Sequence, residues 1–288
     1  MLKKIFYYFP SKLQFLIIKI ANIFYNNIIS EFINNKEYGE YFNIGVNEKK
    51  YIIKRLKFSL SKVTSATSLE VQILLIMQIL KIKRKNICIV ECGCYKGAST
   101  IALSIICKMI KAKLIVYDSF EGLPSSEKNL GMRNYPHLKL YGFYKKGMYK
   151  GTFEEVKENL KLFGEPSACE LRPGYFENTL KNHKEIIDFC FLDVDLTEST
   201  KTCIKYLWKK LKDKSYFYTD DACDLKVVAV WFEQNWWKKN INESAPGYIG
   251  SGCGLPSISR YYSSIGYVYK NNNKKVNNTK KFKWLKSF

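Results

Sequence analysis

Four short apolar segments of the sequence each end in acidic residues, and this pattern constrains the fold more than any other feature. They lie at 86–91, 113–118, 186–194 and 215–221, with the acids Glu91, Asp118, Asp193, Asp195, Asp220 and Asp221. Helical patterns separate these segments, and strand, helix, strand at this spacing predicts a parallel βαβ unit. Ligands of doubly wound sheets bind outside the carboxyl ends of the strands, so we expect the acids to meet at one edge.

The remaining elements follow from apolar periodicity and from capping residues. We predict a strand near 168–172, a helix containing 176–182, and terminal strands near 256–270. The other predicted helices are 68–81, Ala98 to about Lys111, 152–164 with Thr152 as N-cap and Gly164 as stop, 199–212, and 225–237. The predicted organisation is a helical extension over 1–65, a main domain over 66–270 with a long loop or lid at 119–150, and a basic tail over 271–288.

Composition excludes some classes of protein. With 47% hydrophobic residues among 288, the chain can bury a sizeable core, which excludes wholesale disorder. The formal charge of +21 indicates either an anionic partner or a compositional habit, and the even spread of lysines favours the habit. The nine cysteines are odd in number and form no CxxC pair. We therefore predict neither disulfides nor a zinc knuckle, and a reducing cytoplasm as the compartment.

The segment 13–29 is apolar and follows three lysines. It has no cleavage site typical of a signal peptide, and Lys19 and several asparagines interrupt it too often for a membrane span. An amphipathic helix fits better. We expect it to pack on the domain or on a second subunit, with peripheral membrane contact through residues 1–30 as the alternative.

The stretch ECGCYKGAST after the first strand predicts a ligand-binding turn. It matches neither the GxGxxG dinucleotide pattern nor the phosphate-binding P-loop, and Glu91 would repel a pyrophosphate. A cationic ligand with an amino group and a sulfonium suits it, and Asp118 is placed to bind ribose hydroxyls. This describes S-adenosylmethionine. The predicted cofactor site comprises Glu91, Gly93, Gly97, Ser99, Thr100, Asp118 and Ser119.

Four further stretches carry a family resemblance: YDSFEGLP (117–124), RPGYFENTL (172–180), LDVDLTEST (192–200) and TDDA (219–222). Together they resemble the macrocin O-methyltransferase family from about residue 60 to 235. The resemblance implies a Rossmann-like class I methyltransferase with a mostly parallel seven-stranded sheet and helices on both faces. It also implies a divalent metal, usually Mg²⁺, methylation of a sugar hydroxyl, and a dimer or tetramer.

The resemblance also implies individual roles. Asp193, Asp220 and Asp221 match the metal ligands, and Asp195 matches the general base; capping of turns and helices is the alternative for these acids. Thr197 replaces the usual Tyr, and the segment 125–150 has little likeness to the family. We interpret His137 as a bystander and His183 as a surface residue. Tyr144, Tyr149, Trp236 and Trp237 are predicted either to stack on sugar or to belong to the core or a subunit contact.

The leading hypothesis is a metal-dependent O-methyltransferase acting on a surface glycan, a nucleotide sugar or a glycosylated metabolite. The basic charge mildly favours an acidic or phosphate-linked acceptor. A catechol-type O-methyltransferase would keep the same fold and metal. A basic nucleic-acid-binding protein or RNA methyltransferase is a third hypothesis, but no clustered basic and aromatic module supports it, so we expect no nucleic-acid partner. A catalytically inactive scaffold is opposed by the presence of all the acids.

Overall fold

A computed structural model describes residues 13, 28–124, 127–128, 143–222, 224–247, 249–251 and 265–271. Several predictions therefore lie outside the described residues. They concern nearly all of the N-terminal segment 1–27, most of the lid including His137, the strand predicted to begin near 256, Cys223 and Cys253, and the tail beyond residue 271.

One sheet organises the described chain. Its strands are β1 (Cys88–Cys92), β2 (Lys113–Asp118), β5 (Cys169–Pro173), β6 (Ile187–Leu192), β7 (Leu211–Thr219), β8 (Gly250–Ser251) and β9 (Gly266–Tyr269). The order is β5-β2-β1-β6-β7-β9-β8. The first five strands are parallel, and β9 runs antiparallel to both β7 and β8. A separate hairpin pairs β3 (Glu127–Lys128) with β4 (Phe143–Tyr144).

Helices precede and connect the strands. They are α1 (Ile28–Asn34), α2 (Val46–Leu60), α3 (Leu69–Leu80), α4 (Ala98–Ile110), α5 (Phe153–Phe163), α6 (Phe176–Thr179), α7 (Thr197–Leu207), α8 (Leu225–Val230) and α9 (Gln234–Ile241). Short 3₁₀ turns occupy Glu40–Phe42, Pro166–Ala168, Leu180–Asn182 and Trp208–Lys210. Ser68 and Thr152 cap α3 and α5 by accepting hydrogen bonds from Val71 N and Glu155 N.

The sheet is buried on both faces, as parallel sheets require. Along β1 the side chains alternate, so Ile89 belongs to one apolar cluster and Val90 to the other. The first cluster joins α1–α5 to the sheet, and the second joins α7–α9 to the opposite face. Residues of the N-terminal extension, including Phe32 and Leu56, lie in the first cluster with α3. The described part of the extension therefore shares its core with the main domain.

The predicted fold class is confirmed, with differences in detail. The sheet reaches seven strands only when the two-residue β8 is counted beside six strands of four to nine residues. The helix predicted over 225–237 is wrong: α8 ends at Val230, and α9 begins at Gln234. The indole Nε1 of Trp237 donates to the carbonyl of Val230 at 2.7 Å, so the break brings Trp237 beneath α8 and fully buries it.

Three further predictions can be compared with the structure. β7 begins at Leu211 rather than 215. α7 ends at Leu207, and the 3₁₀ turn Trp208–Lys210 connects it to the strand. His183 is not a surface residue: it is 4% exposed, and its Nδ1 lies 2.8 Å from the Tyr117 hydroxyl. All cysteines within the described residues are free. Among the described helices, none combines the length and the apolar character needed to cross a bilayer.

Candidate cofactor and acceptor site

Backbone hydrogen bonds continue past the carboxyl ends of the central strands. Gly93 N donates to Tyr117 O at 2.9 Å, Asp193 N to Cys92 O at 2.9 Å, and Asp220 N to Leu192 O at 2.8 Å. The first residues after β1, β6 and β7 are therefore held side by side in sheet register. This ladder is the physical reason that acids distant in sequence meet at one edge.

The turn between β1 and α4 depends on two glycines. Gly93 has φ +83°, and a Cβ there would lie 1.8 Å from the carbonyl oxygen of Asp193. Gly97, the residue before α4, has φ +87°, and its Cβ would approach Val156 Cγ1 at 3.2 Å. Side chains are strained at these φ values, and Gly93 also lacks space for one. The turn therefore brings bare backbone to the sheet edge, as the sequence predicts.

Glu91 is fully buried at the end of β1. Thr100 Oγ1 donates to its Oε2 at 2.6 Å, while Oε1 has no hydrogen-bond partner among the described residues. Burial raises the pKa of Glu91 to about 7, opposed by hydrogen bonds from Ser99 and Thr100 and assisted by the charge of Asp118. An orphaned buried acceptor calls for a donor, and the amino group of a bound cation would supply one.

Asp118, the last residue of β2, stabilises the turn after β1 and the turn after β2. Its Oδ2 accepts from Cys94 N and its Oδ1 from Phe120 N, both at 2.7 Å. Burial raises the pKa of Asp118, and these backbone donors oppose the rise. Each carboxylate oxygen can accept a second hydrogen bond, so capacity for ribose hydroxyls remains. Ser119 accepts from Glu121 N and donates to Gly122 O, both at 3.1 Å, so it shapes the turn after β2.

A second group of carboxylates lies beyond β6 and β7. Asp221 Oδ2 accepts from Asp195 N at 3.0 Å and from Val194 N at 3.4 Å, which ties the two strand ends together. Asp195 has φ +57°. Burial raises the pKa of Asp193, and the nearby charges of Asp220, Asp221 and Asp195 raise it further. The structure therefore gathers the predicted metal ligands and the predicted base in one negative region.

A small apolar cluster beside this region was not predicted as a unit. It contains Leu123, Tyr144 and Leu196, with Met148 and Tyr149 packed against it. Leu196 follows Asp195 directly, and the Tyr149 ring meets Tyr95 edge to face at 5.8 Å. Leu123 N donates to Met148 O at 2.9 Å, so the segment 143–151 lies on the turn after β2. The sequence signal for this cluster is the group Tyr144, Met148 and Tyr149 close to Gly147.

A sequence profile of the macrocin O-methyltransferase (TylF) family matches residues 77–245, which is more than half of the chain. The chain belongs to this family. It is an S-adenosylmethionine-dependent O-methyltransferase, and the matched region contains every predicted site residue from Glu91 to Asp221.

Solved structures with similar folds include other methyltransferases. The O-methyltransferase NovP is 18% identical, with a TM-score of 0.47 over 79% of this chain and 81% of NovP. CalS11, a calicheamicin methyltransferase, is 16% identical, with a TM-score of 0.49 over 77% of this chain and 92% of its own. PaMTH1 of Podospora anserina is 18% identical, with a TM-score of 0.40 over 59% and 62% of the two chains. Curated protein sequences yield no match.

The metal implied for this macrocin O-methyltransferase family member fits the site in one respect and not in another. Buried, mutually repelling carboxylates are the oxygen donors that Mg²⁺ prefers. However, no group of three His, Cys, Asp or Glu side chains within the described ranges is arranged to hold a metal ion. The described residues therefore supply oxygen ligands suited to Mg²⁺, but these ligands do not converge on one point.

Gly93 and Gly147, with φ values of +83° and +80°, provide a matched test of the turn between β1 and α4. Gly93→Ala is expected to lower both the free energy of unfolding and the affinity for S-adenosylmethionine, because its Cβ would collide with Asp193 O. Gly147→Ala has the same backbone strain, at φ +80°, but nothing lies within 4 Å of its Cβ. It should cost about 1 kcal/mol and leave cofactor affinity unchanged. Urea unfolding and calorimetry would measure both; equal effects of the two substitutions would contradict the close approach.

Proposed function

We propose that the protein transfers the methyl group of S-adenosylmethionine to a hydroxyl of a sugar-bearing acceptor. One observation carries this proposal: within a family-matched domain, carboxylates gather at the ends of adjacent strands, where burial and then the charges of Asp220, Asp221 and Asp195 raise the pKa of Asp193. Concentrated negative charge suits a cationic donor and an alcohol that must lose a proton. The acceptor classes that we consider are nucleotide sugars, glycans and glycosylated metabolites.

S-adenosylmethionine, when bound, supplies a methyl group on a positively charged sulfur. The residues proposed to hold it are Glu91 and Asp118, with the bare backbone of Gly93 and Gly97 between them. Glu91 offers its orphaned Oε1 to the amino group, and Asp118 accepts hydrogen bonds from ribose hydroxyls. Ser99, Thr100 and Ser119 support these carboxylates and the turns: Thr100 bonds Glu91, and Ser119 bonds its own turn.

Asp195 is proposed as the general base. Its backbone N–H donates to Asp221 Oδ2, and the following residue, Leu196, is packed against Leu123 and Tyr144. These contacts fix the loop that carries the carboxylate. Asp195 would accept the proton of the acceptor hydroxyl as the oxygen bonds to the methyl carbon and the carbon–sulfur bond of the donor breaks, which would leave neutral S-adenosylhomocysteine. No covalent enzyme intermediate is needed, so in-line orientation of the reactants carries much of the rate increase.

We further propose Mg²⁺ as a cofactor, with Asp193, Asp220 and Asp221 as its ligands. The support is electrostatic: a divalent cation would offset the burial and mutual repulsion that raise the pKa of Asp193. The carboxylates would have to rotate towards a common point, since the described residues form no ready group of three. Homo-oligomerisation and a cytoplasmic location stay predictions from sequence.

Asp195→Asn tests the base. The substitution keeps the shape but removes the proton acceptor, so kcat should fall about 10²- to 10⁴-fold while affinity for S-adenosylmethionine is retained. Production of S-adenosylhomocysteine and the mass of the product, measured over nucleotide sugars, glycans and a catechol, give the readout. Glu158→Gln, an exposed change on α5, serves as the control. Undiminished kcat would exclude Asp195 as the base, and turnover of the catechol alone would exclude a sugar acceptor.

Glu91 is expected to couple cofactor binding to proton release. Its pKa of about 7 in the cofactor-free protein means that the carboxyl group is mostly protonated at pH 6. A cationic ligand stabilises the charged form, so binding lowers this pKa and releases close to one proton at pH 6, and far less at pH 8.5. Calorimetry in buffers of different ionisation enthalpy measures the release. Glu91→Gln should abolish it; a buffer-independent enthalpy in the unmodified protein would contradict the assignment.

Asp220→Asn tests the metal. Loss of one carboxylate should weaken Mg²⁺ binding, by about tenfold or more, and leave S-adenosylmethionine binding intact. Calorimetric titration of the chelator-treated protein with Mg²⁺ reports on binding without reference to turnover. The ligand assignment fails if Asp220→Asn binds Mg²⁺ as tightly as the unmodified protein does. Full activity after exhaustive chelation would show that no metal is needed.

A further inference from the structure

The outer side of α2 exposes large aromatic side chains. Tyr51 and Phe58 are each 55% exposed, and they lie seven residues apart, two helical turns, on the same side. Leu162, near the end of α5, is 60% exposed. A single exposed apolar residue is ordinary, whereas a continuous group of them marks a contact surface.

α2 and the end of α5 form one continuous surface. Arg55 of α2 donates to Glu165 Oε1 at 2.5 Å and to the carbonyls of Phe163 and Gly164 at 2.9 and 3.2 Å. The Phe58 and Phe163 rings meet edge to face at 5.9 Å. These contacts fix the end of α5, which carries Leu162, against α2.

Positive charge surrounds these apolar groups. Lys50, Lys54 and Lys57 are exposed along α2 and Lys62 beside it, whereas Lys161 is paired with Glu158 at 4.0 Å. Lys62 Nζ lies 5.9 Å from the centre of the Phe58 ring. The only acid within α2 is Glu48, in the first turn, where it caps the helix by accepting from Gly45 N at 2.9 Å. We call the set Tyr51, Lys54, Phe58, Lys62 and Leu162 the basic aromatic face.

The positive charge of the basic aromatic face indicates which class of partner it can bind. A second copy of the chain that docked through the same face would bring lysines against lysines. A nucleic acid would satisfy the lysines, but Leu162 offers neither a stacking plane nor a hydrogen bond. An anionic lipid surface satisfies both components, because lysines reach the headgroup phosphates while rings and Leu162 enter the acyl boundary.

The chain that precedes α1 has the same character. Residues 1–27 combine Lys3, Lys4 and Lys12 with a long apolar run, and they lead directly into α1. The end of α1 lies against α2, since Lys49 Nζ donates to Asn35 O at 2.7 Å. A second basic and apolar stretch of sequence is thus joined to the helix pair that carries the basic aromatic face.

We propose that the basic aromatic face docks this methyltransferase on anionic lipid membranes. The proposal concerns where the enzyme acts and does not depend on its acceptor or metal. The 288-residue chain is expected to co-sediment with phosphatidylcholine vesicles that contain phosphatidylserine, more weakly with phosphatidylcholine alone, and less as salt is raised. The double substitution Tyr51→Ser and Phe58→Ser should lower the partition coefficient about tenfold, because both rings lose their buried area in the membrane.

Ile186→Ser is the matched control. Ile186 is 52% exposed and directly precedes β6, away from α2 in the chain, so its replacement removes an exposed apolar side chain elsewhere. Thermal unfolding and S-adenosylmethionine binding should be unchanged in both variants, which shows that they are folded. Lys54→Glu with Lys62→Glu should also reduce binding, and only to vesicles containing phosphatidylserine.

The proposal is overturned if the double serine variant binds vesicles as the unmodified protein does, or if Ile186→Ser loses as much binding. Sedimentation velocity provides the competing outcome. A concentration-dependent dimer that disappears in the double variant would assign the face to a second copy, and displacement of the protein from vesicles by RNA at the same face would assign it to nucleic acid.

Discussion

Repulsion among carboxylates at one edge of the sheet is the constraint on which the site depends. The backbone ladder from Tyr117 through Gly93, and from Cys92 through Asp193, leaves these acids no freedom to separate, because it continues the sheet itself. Burial then makes each charge costly, as the raised pKa values of Glu91 and Asp193 indicate. The protein maintains a region that is unfavourable when empty, and binding of positive charge relieves it. Such stored electrostatic cost is typical of functional sites.

The position of that edge could be predicted from sequence because strand-ending acids and two glycines are local signals. β1, β2 and α4 lie where apolar runs, Gly97 and Asp118 place them. Gly93 shows the limit of such reasoning. Its need for a positive φ is readable from a turn, but its contact with Asp193 O joins residues one hundred positions apart and depends on β6 pairing with β1.

Long-range packing also explains why the predictions for His183 and for the helix 225–237 were wrong. His183 lies in a polar stretch, yet it is buried because Tyr117 and Arg172 of neighbouring strands form a hydrogen-bonded group beneath it. Burial lowers the pKa of His183, which disfavours the charged form of the imidazole. The apolar run 225–237 has helical periodicity throughout, but Trp231 and Trp237 both pack on Trp208, which a single straight helix does not allow. In each case a tertiary contact overrides a local pattern.

The net charge of the whole chain and the local charge at the carboxyl edge of the sheet have opposite signs. The chain as a whole is strongly positive, so an anionic acceptor would be attracted from a distance. The sheet edge is negative, so the same acceptor would be repelled at short range by Asp193 and its neighbours. A cationic methyl donor would lower the local negative charge when it binds, and a divalent cation would lower it further. An acceptor bearing phosphate or carboxylate groups would therefore meet less repulsion at the sheet edge once the donor has bound, because part of the local negative charge is then offset.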